Sequence, residues 1–346
     1  ALSIINRSTI DNADAIYFYA PIDGRESYRL RGRVHDWRHW RGEPAAEGIA
    51  KAPFYLIFEA MNGVMAGDSG SLAELAPGVK TQTGRLDSSS LQVDDDGSFE
   101  ILLAPERPPG HEGNFISTLK VVSRPHPFDP DMPNERYATV ISGRQLFADW
   151  AFEEPIHFEL DRVGGEGTAG PAYNLERAAR ELRLCGELVQ NQMRYWNAFW
   201  TDLFGTYGER PGTLKEFAFP RNGFNKVNAA SGATGGGQST NIYCGGVFEL
   251  EPDEALVIEN RIKVEPQYIG FQVGNLWGES IEYANALGSL NGHQMVADAD
   301  GVFRIVVAHR DPGVPNWIDT TGHREGFLTA RWAYSAQPAQ SDWPEI

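Results

Sequence analysis

Two stretches of the sequence match each other and decide the fold: LQVDDDGSFEILLA at residues 91–104 and MVADADGVFRIVVA at residues 295–308. In each stretch an Asp-Gly pair, Asp96-Gly97 or Asp300-Gly301, lies between two apolar runs. Asp-Gly is a strong signal for a tight turn between strands, because both central residues of a type I′ turn need a positive φ. The two stretches therefore predict the same β-unit twice in one chain.

Two further matches flank this unit in the same order. An Ile-Tyr pair, an acidic turn and an alternating strand occur at residues 16–34 and again at 242–262, and an Asn-aromatic-Ile run starts at Asn114 and at Asn316. Matched residues are 226 positions apart in the first run, 204 at the glycines and 202 at the asparagines. The first copy thus carries an insertion. We predict a mainly β protein with two tandem antiparallel β-sandwich or jelly-roll-like domains.

One long helical pattern separates the two copies. Apolar residues recur there at steps of three and four positions, which is typical of an amphipathic helix. The stripe comprises Leu175, Ala178, Ala179, Leu182, Cys185, Leu188, Val189, the polar Gln192, Trp196, Phe199, Trp200 and Leu203. The predicted boundaries are 12–160 for the first sandwich with its insertion, 174–205 for a linking helix that docks across both sandwiches, and 221–335 for the second sandwich.

Composition limits the partners and the compartment. The formal net charge of −17 argues against binding to nucleic acid and to an anionic membrane surface. Residues 1–11 lack the charged and apolar regions of a signal peptide. The two cysteines, Cys185 and Cys244, form no disulfide framework and no zinc motif, so we expect buried, reduced thiols in a cytoplasmic protein. A small-molecule partner is expected, and a homo-oligomer is left open.

Three stretches in the second copy resemble a known family: FQVGNLWGES at 271–280, GSLNGHQ at 288–294 and DPGVPNWIDTTGHREG at 311–326. They are similar to a bacterial domain family known only as of unknown function, number twelve-fourteen, which often follows a partner domain, number twelve-fifty-four. The resemblance is specific from about residue 240 to 335. It implies an all-β, jelly-roll-like fold and brings no established reaction.

Polar and aromatic side chains are dense in the loops of the second copy, where function tends to lie. We predict Glu279, Asp319 and His323 as catalytic residues, because carboxylates and a histidine can transfer protons. The predicted substrate-binding residues are Trp277, Asn291, Asn316, Trp317 and Arg324. We expect the catalytic residues and both asparagines to converge, with His323 and Glu279 within about one water of each other.

Structural roles compete with these assignments. Asp319 could cap a turn, Glu279 could pair with Arg324 or Arg331, and the tryptophans could be core residues. His293, His309 and His323 could gather on a metal, but their spacing matches no metal motif. We therefore predict no metal and no cofactor.

Two functions from different classes fit the sequence. The first is an enzyme, a hydrolase or a lyase, that acts on a small neutral or lipophilic molecule in a pocket of the second β-domain. The alternative is a non-catalytic module that binds a ligand, a carbohydrate or another protein, since no decisive catalytic motif is present.

Overall fold

The computed structural model describes residues 10–63, 67–76, 78–127, 129–168, 174–204, 219–229 and 240–346. The first half of the chain forms ten strands: β1 (Ala15–Pro21), β2 (Tyr28–Arg33), β3 (Tyr55–Asn62), β4 (Thr81–Asp87), β5 (Ser98–Ala104), β6 (Asn114–Ser117), β7 (Leu119–Val121), β8 (Glu135–Tyr137), β9 (Val140–Leu146) and β10 (Phe158–Arg162). Their sheet orders are β1-β9-β3-β4, β10-β2-β5-β6 and β7-β8.

Helix α1 (Leu175–Phe204) separates these sheets from a second set. The second set contains β11 (Ile242–Glu249), β12 (Ala255–Asn260), β13 (Tyr268–Gly274), β14 (Ser289–Asn291), β15 (Phe303–Ala308), β16 (Trp317–Asp319) and β17 (Glu325–Ala333). Short 3₁₀ helices in the described ranges are Arg38–Arg41, Leu72–Leu75 and Gln340–Asp342. The predicted fold class, mainly β with one helix between two sets of sheets, is confirmed.

The two sets of sheets share one strand order. The order β1-β9-β3-β4 corresponds to β11-β17-β13-β14, and β2-β5-β6 corresponds to β12-β15-β16. Among the described residues, strands β7, β8 and β10 occur in the first set only. The pairing differs in one feature from the expected antiparallel arrangement. Strand β5 pairs with β6 in parallel, and β15 pairs with β16 in parallel. The common order is what the sequence repeat predicts, while the domain boundaries stay a prediction.

The Asp-Gly turns occupy equivalent places before β5 and β15. In the first turn the Asp94 amide donates to the Ser98 carbonyl, and in the second the Asp298 amide donates to the Val302 carbonyl. Gly97 and Gly301 adopt φ values of 84° and 77°, a left-handed conformation that glycine adopts without strain. Each turn starts a strand whose alternate side chains enter the core of its own sandwich.

The two sandwiches pack through one sheet of each. Ala15, Tyr55 and Leu146 of the first set form a shared apolar cluster with Tyr268 and Ala333 of the second. Next to it, the Tyr268 hydroxyl donates to Asp14 Oδ2 over 2.9 Å. Burial raises the pKa of Asp14, while hydrogen bonds from its neighbours lower it. The segment before β1 therefore ties the two halves together through buried polar contacts.

The loop that follows β9 also takes part in this joint. The Ala148 carbonyl accepts a hydrogen bond from Asn291, and Asp149 lies 3.5 Å from His293. The loop is held from inside by Glu153, whose carboxylate accepts from the backbone amides of Phe54, Ala148 and Asp149. Burial raises the pKa of Glu153 to about 7 in spite of these donors.

We expect this carboxyl group to make stability fall as pH rises through the range from about 4.5 to about 7. A raised pKa means that the folded chain binds the proton more tightly than the unfolded chain, so the contribution is complete below the unfolded value and is lost above the folded one. The difference corresponds to about 3 kcal/mol. Urea unfolding at pH 5 and pH 7.5 should show this loss in the wild type and a flatter profile in Glu153→Gln. Parallel profiles of the two proteins would contradict the assignment.

From Asn191 to its C-terminal end, α1 packs on the protein body. Trp200 is 3% exposed and packs on Phe327 of β17, and the Asn191 side chain donates to the Asp68 carbonyl of the first half. The helix thus contacts both halves, as predicted. The docking does not extend over the whole helix, because its first four turns, residues 175–190, project past both sandwiches and leave Leu175, Leu182 and Val189 exposed.

Both cysteines are free, as expected, but only one is buried. Cys244 lies inside β11, whereas Cys185 lies on the projecting part of α1 and is exposed. None of the helices within the described ranges has the length and apolar character that a membrane crossing needs. The predicted end of the helix at Gly205 lies outside the described residues.

Candidate ligand cleft of the second sandwich

A cleft of about 530 Å³ opens at one end of the second set of sheets. Two loops form it: the loop that follows β13 and the turn between β16 and β17. Its lining residues are Asn275, Ile281, Glu282, Asn285, Ala286, Asp319, Thr321 and His323. The volume falls within the range of small-molecule sites, which is about 300–1,000 Å³.

Asp319 is the last residue of β16, and its local structure is rigid. Its Oδ1 accepts a hydrogen bond of 2.7 Å from the Thr321 amide, and its own amide donates to the Leu287 carbonyl. The carboxylate therefore caps a turn, as its competing structural role predicts. Since one oxygen is enough for this cap, Oδ2 keeps its hydrogen-bonding capacity.

The same turn brings His323 to the cleft. Thr321 and Gly322 have φ values of 50° and 81°, and the His323 amide donates to the Thr320 carbonyl. Two successive left-handed residues reverse the chain sharply, so that His323 lines the cleft four positions after Asp319. His323 is exposed. The Thr321 hydroxyl is buried in the wall with no hydrogen-bond partner in the described part of the chain.

Glu279 lies behind the cleft wall and does not line it. Its Oε2 accepts 2.8 Å from the Asn275 side chain, and its amide donates to Asn275 Oδ1. Glu279 thus positions Asn275, which does line the cleft. The predicted pair of Glu279 and His323 is replaced in the cleft by Glu282 and His323.

Glu282 uses its carboxylate much as Asp319 does. Its Oε1 accepts 3.0 Å from the Ala284 amide, and this contact stabilises the loop that carries Asn285. The cleft therefore contains two half-buried carboxylates, each with one oxygen that holds a local turn. Together with His323 they are the ionisable groups among the described residues that line the cleft.

Asn291 lies elsewhere, in the joint between the two sandwiches. It is 1% exposed, and its Nδ2 donates to Asp14 Oδ2 and to the Ala148 carbonyl. Its Oδ1 accepts from the amides of His293 and Gln294. All of its polar capacity is used inside the protein, so the structure does not bring it to the predicted site.

Asn316 joins strands and has a twin in the first copy. Its Oδ1 accepts 2.8 Å from the Val296 amide, and its Nδ2 donates to the carbonyls of Val296 and Arg304. Asn114 makes the same three bonds to Gln92 and Glu100. An asparagine that repeats its contacts in both copies serves the fold, and Asn316 does not line the cleft.

The other three predicted substrate contacts are also apart from the cleft lining. Trp277 is 53% exposed on the loop held by Asn275. Trp317 donates from its indole nitrogen to the Ala308 carbonyl across the strand pair. Arg324 donates to Glu251 over 2.5 Å. Of the eight predicted residues, the structure therefore places Asp319 and His323 together and Glu279 one contact away.

Sequence reasoning missed four polar residues of the lining: Asn275, Glu282, Asn285 and Thr321. All four flank predicted residues by no more than six positions. The signal that could have found them is the pair of loop segments itself, since both segments follow the ends of strands. Within the described ranges, no group of three His, Cys, Asp or Glu side chains is placed to hold a metal ion.

A family model described as "Protein of unknown function (DUF1214)" matches residues 69–123. The family resemblance is thereby confirmed, although the match lies in the first copy and the motifs that suggested it lie in the second. The partner domain of number twelve-fifty-four stays a prediction.

A solved structure with a TM-score of 0.71 shows the same fold. The chain is similar to the crystal structure of an uncharacterized protein from Burkholderia cenocepacia, with 24% identity and a TM-score of 0.71 over 99% of this chain and 78% of that one. It is also similar, with 10% identity and a TM-score of 0.48, to the VPA0106 protein from Vibrio parahaemolyticus over 97% and 89% of the two chains. No curated protein matches the sequence.

Proposed function

We propose that this protein is an enzyme that acts on a small neutral molecule in the cleft of the second sandwich. One observation carries the proposal: Asp319, Glu282 and His323 line a single cleft. Carboxylates and an imidazole are the side-chain types that most often accept and donate protons in enzymes. Hydrolysis and elimination need only such transfers, so a hydrolase or a lyase fits this set.

The lining also favours a substrate class. Amide groups of Asn275 and Asn285 and the two carboxylates suit hydroxyl or amine donors, whereas Ile281 and Ala286 offer a small apolar surface. An anionic substrate would meet two carboxylates on a chain of net charge −17, which disfavours it. We therefore propose a neutral, hydroxyl-bearing substrate. In this scheme His323 carries the proton, and the carboxylates orient the substrate and stabilise positive charge.

A second function has its own support. His323 is exposed, and Asp319 and Glu282 each hold a turn, so the cleft resembles a preformed recognition surface as much as a closed reaction chamber. A non-catalytic module that binds a carbohydrate or a similar small molecule would use the same groups as hydrogen-bond partners. The free thiols of Cys185 and Cys244 favour a reducing compartment, and we place either function in the cytoplasm.

Asp319→Asn and His323→Gln should abolish turnover without unfolding the protein. Asparagine keeps the oxygen that caps the turn at Thr321 and removes the charge. The matched controls are Asp311→Asn, because Asp311 caps Gly313 in the same way, and His157→Gln, because His157 is exposed on the first set of sheets. We expect turnover of 4-nitrophenyl glycosides or esters by the wild type, and a loss of about 10²–10⁴-fold in the two cleft variants only.

The control variants and the wild-type protein distinguish the enzyme from the binding module. Equal losses in Asp311→Asn and Asp319→Asn would mean that the turns matter and the cleft does not. Wild-type protein that is stabilised by D-glucose or methyl glucoside in thermal unfolding, with no turnover of any probe, would replace the enzyme by the binding module. Wild-type protein that neither binds nor converts these probes would contradict both functions for this substrate class.

A further inference from the structure

The projecting part of α1 exposes apolar side chains to an unusual degree. Leu175 is 89% exposed, Leu182 73%, Val189 63% and Met193 61%. Monomeric proteins rarely leave such side chains contiguous on their surface, and contiguous patches usually mark interaction sites. Residues 175–190 are almost all exposed, and a helical segment of about four turns without tertiary packing is only marginally stable in water.

These side chains form one continuous stripe. Residues seven positions apart differ by only about 20° around a helix, so Leu175, Leu182, Val189 and Trp196 follow one line. Met193 lies beside the same line. The stripe continues without a break into Trp200, which is buried on the protein body. A seven-residue apolar repeat is the pattern by which one helix packs along another.

The middle of the stripe contains a glycine that its own chain does not explain. A Cβ atom built at Gly186 meets nothing within 4 Å. Glycine weakens a helix interior relative to alanine, and no residue in the described ranges requires the space beside Gly186. A close approach by a second helix at this point would require it, because small residues let two helix backbones come together.

We propose that two copies of this chain pair through α1 in an antiparallel arrangement with its two-fold axis beside Gly186. The stripe is complementary to itself in this register. Leu182 of one copy then faces Val189 of the other, and Ala178 faces Met193, so that small and large side chains alternate. Leu175 at the N-terminal end of α1 reaches the half-buried Trp196 next to the other body.

Charge favours a second copy as the occupant. Four Arg and four acidic residues between positions 175 and 204 make α1 neutral, whereas the chain carries a net charge of −17. Two such bodies repel each other elsewhere. The antiparallel arrangement holds them at opposite ends of a helix pair about 30 Å long, which exceeds the Debye length of about 8 Å at physiological salt.

The buried area also fits. The four large exposed side chains offer about 100 Å² each, which amounts to about 800 Å² for two copies before Cys185, Trp196 and the alanines are added. The total reaches the lower end of specific interfaces, about 1,000–1,200 Å². A dimer of this size is expected to dissociate on dilution.

Light scattering after size exclusion, at loading concentrations from 1 to 100 µM, tests the pairing. The 38.3 kDa chain should approach twice its mass at high concentration. Leu182→Glu and Val189→Glu should raise the dissociation constant at least tenfold. The matched control is Leu184→Glu, because Leu184 is 56% exposed on the same helix but lies about 160° away from the stripe. It should dimerise like the wild type.

Orientation is tested with single cysteines in a Cys185→Ser background and a short bismaleimide. A mixture of Ala178→Cys and Met193→Cys copies should cross-link, and neither variant should cross-link alone. Cross-linking of Met193→Cys with itself would show a parallel pair and overturn the arrangement. A wild type that is monomeric at 100 µM would overturn the dimer. In that case a lower melting temperature of Leu182→Glu would identify another segment of the same chain as the occupant of the stripe. An unchanged melting temperature would identify a different protein as the occupant.

Discussion

Replacing Trp200 by alanine is expected to lower the free energy of unfolding by about 3–5 kcal/mol. Large aromatic truncations in a packed core cost this much, because the transfer energy is lost and a cavity is left. Trp200 is 3% exposed and lies 5.2 Å from the ring of Phe327 at an angle of 70°, with Phe219 and Phe199 on its other sides. Aromatic pairs in such edge-to-face contacts add to the loss.

Two variants on the same helix calibrate this result in urea unfolding. Trp196 is half-buried and donates from its indole nitrogen to Gln192, so Trp196→Ala should cost less than Trp200→Ala. Leu184→Ala, on the exposed side, should change stability by no more than about 0.5 kcal/mol. If Trp200→Ala were as neutral as Leu184→Ala, the contact between α1 and β17 would not contribute to folding.

The fold could be predicted because its signals are local and occur twice. Alternating apolar residues and Asp-Gly turns define strands and turns within about 14 residues, and the repeat shows that both sets belong to one architecture. The parallel or antiparallel direction of strand pairing could not be predicted in this way. Strand β6 pairs with β5 in parallel, and no periodicity in either strand contains that information.

The helix shows that a sequence pattern can predict an apolar stripe correctly without identifying the surface on which the stripe packs. The three- and four-residue steps predict an apolar stripe, and α1 has one. They do not say whether the stripe faces its own chain. Trp200 meets Phe327, whereas Leu182, five turns earlier on the same line, meets solvent. Burial of α1 begins near residue 191, where the helix reaches the two sandwiches. The position of the sandwiches sets this limit, and the helical pattern does not contain it.

The candidate site could be predicted in part for a related reason. Asp319 and His323 are close in sequence, so a single turn brings both to one cleft. Glu279 comes from another loop, and its neighbour Glu282 lines the cleft in its place. Asn291 and Asn316 are polar residues near the right loops, but a buried amide satisfied by main chain and an amide in a ligand site look alike in a sequence.

For Asn316 the sequence repeat contains the signal that distinguishes a structural amide from a ligand-binding one, because Asn114 occupies the same position in the first copy. Asn114→Asp and Asn316→Asp should each lower the free energy of unfolding by about 3 kcal/mol or more at pH 7. In each site the amide nitrogen donates to two main-chain carbonyls, at 2.8 and 3.0 Å. A carboxylate oxygen in its place leaves both acceptors unpaired, at about 1–3 kcal/mol each.

The loss should be smaller at pH 4.5 than at pH 7, because a protonated carboxyl can donate to one of the two carbonyls. Asn114 is 8% exposed and Asn316 is half-buried, so the first variant should be the more destabilised. Asn285→Asp, on the exposed rim of the cleft, is the control and should be nearly neutral in urea unfolding at both pH values. A stable Asn316→Asp variant that had lost ligand binding would instead assign Asn316 to substrate binding. Asn316 and Asn114 would then have different functions although they make the same hydrogen bonds.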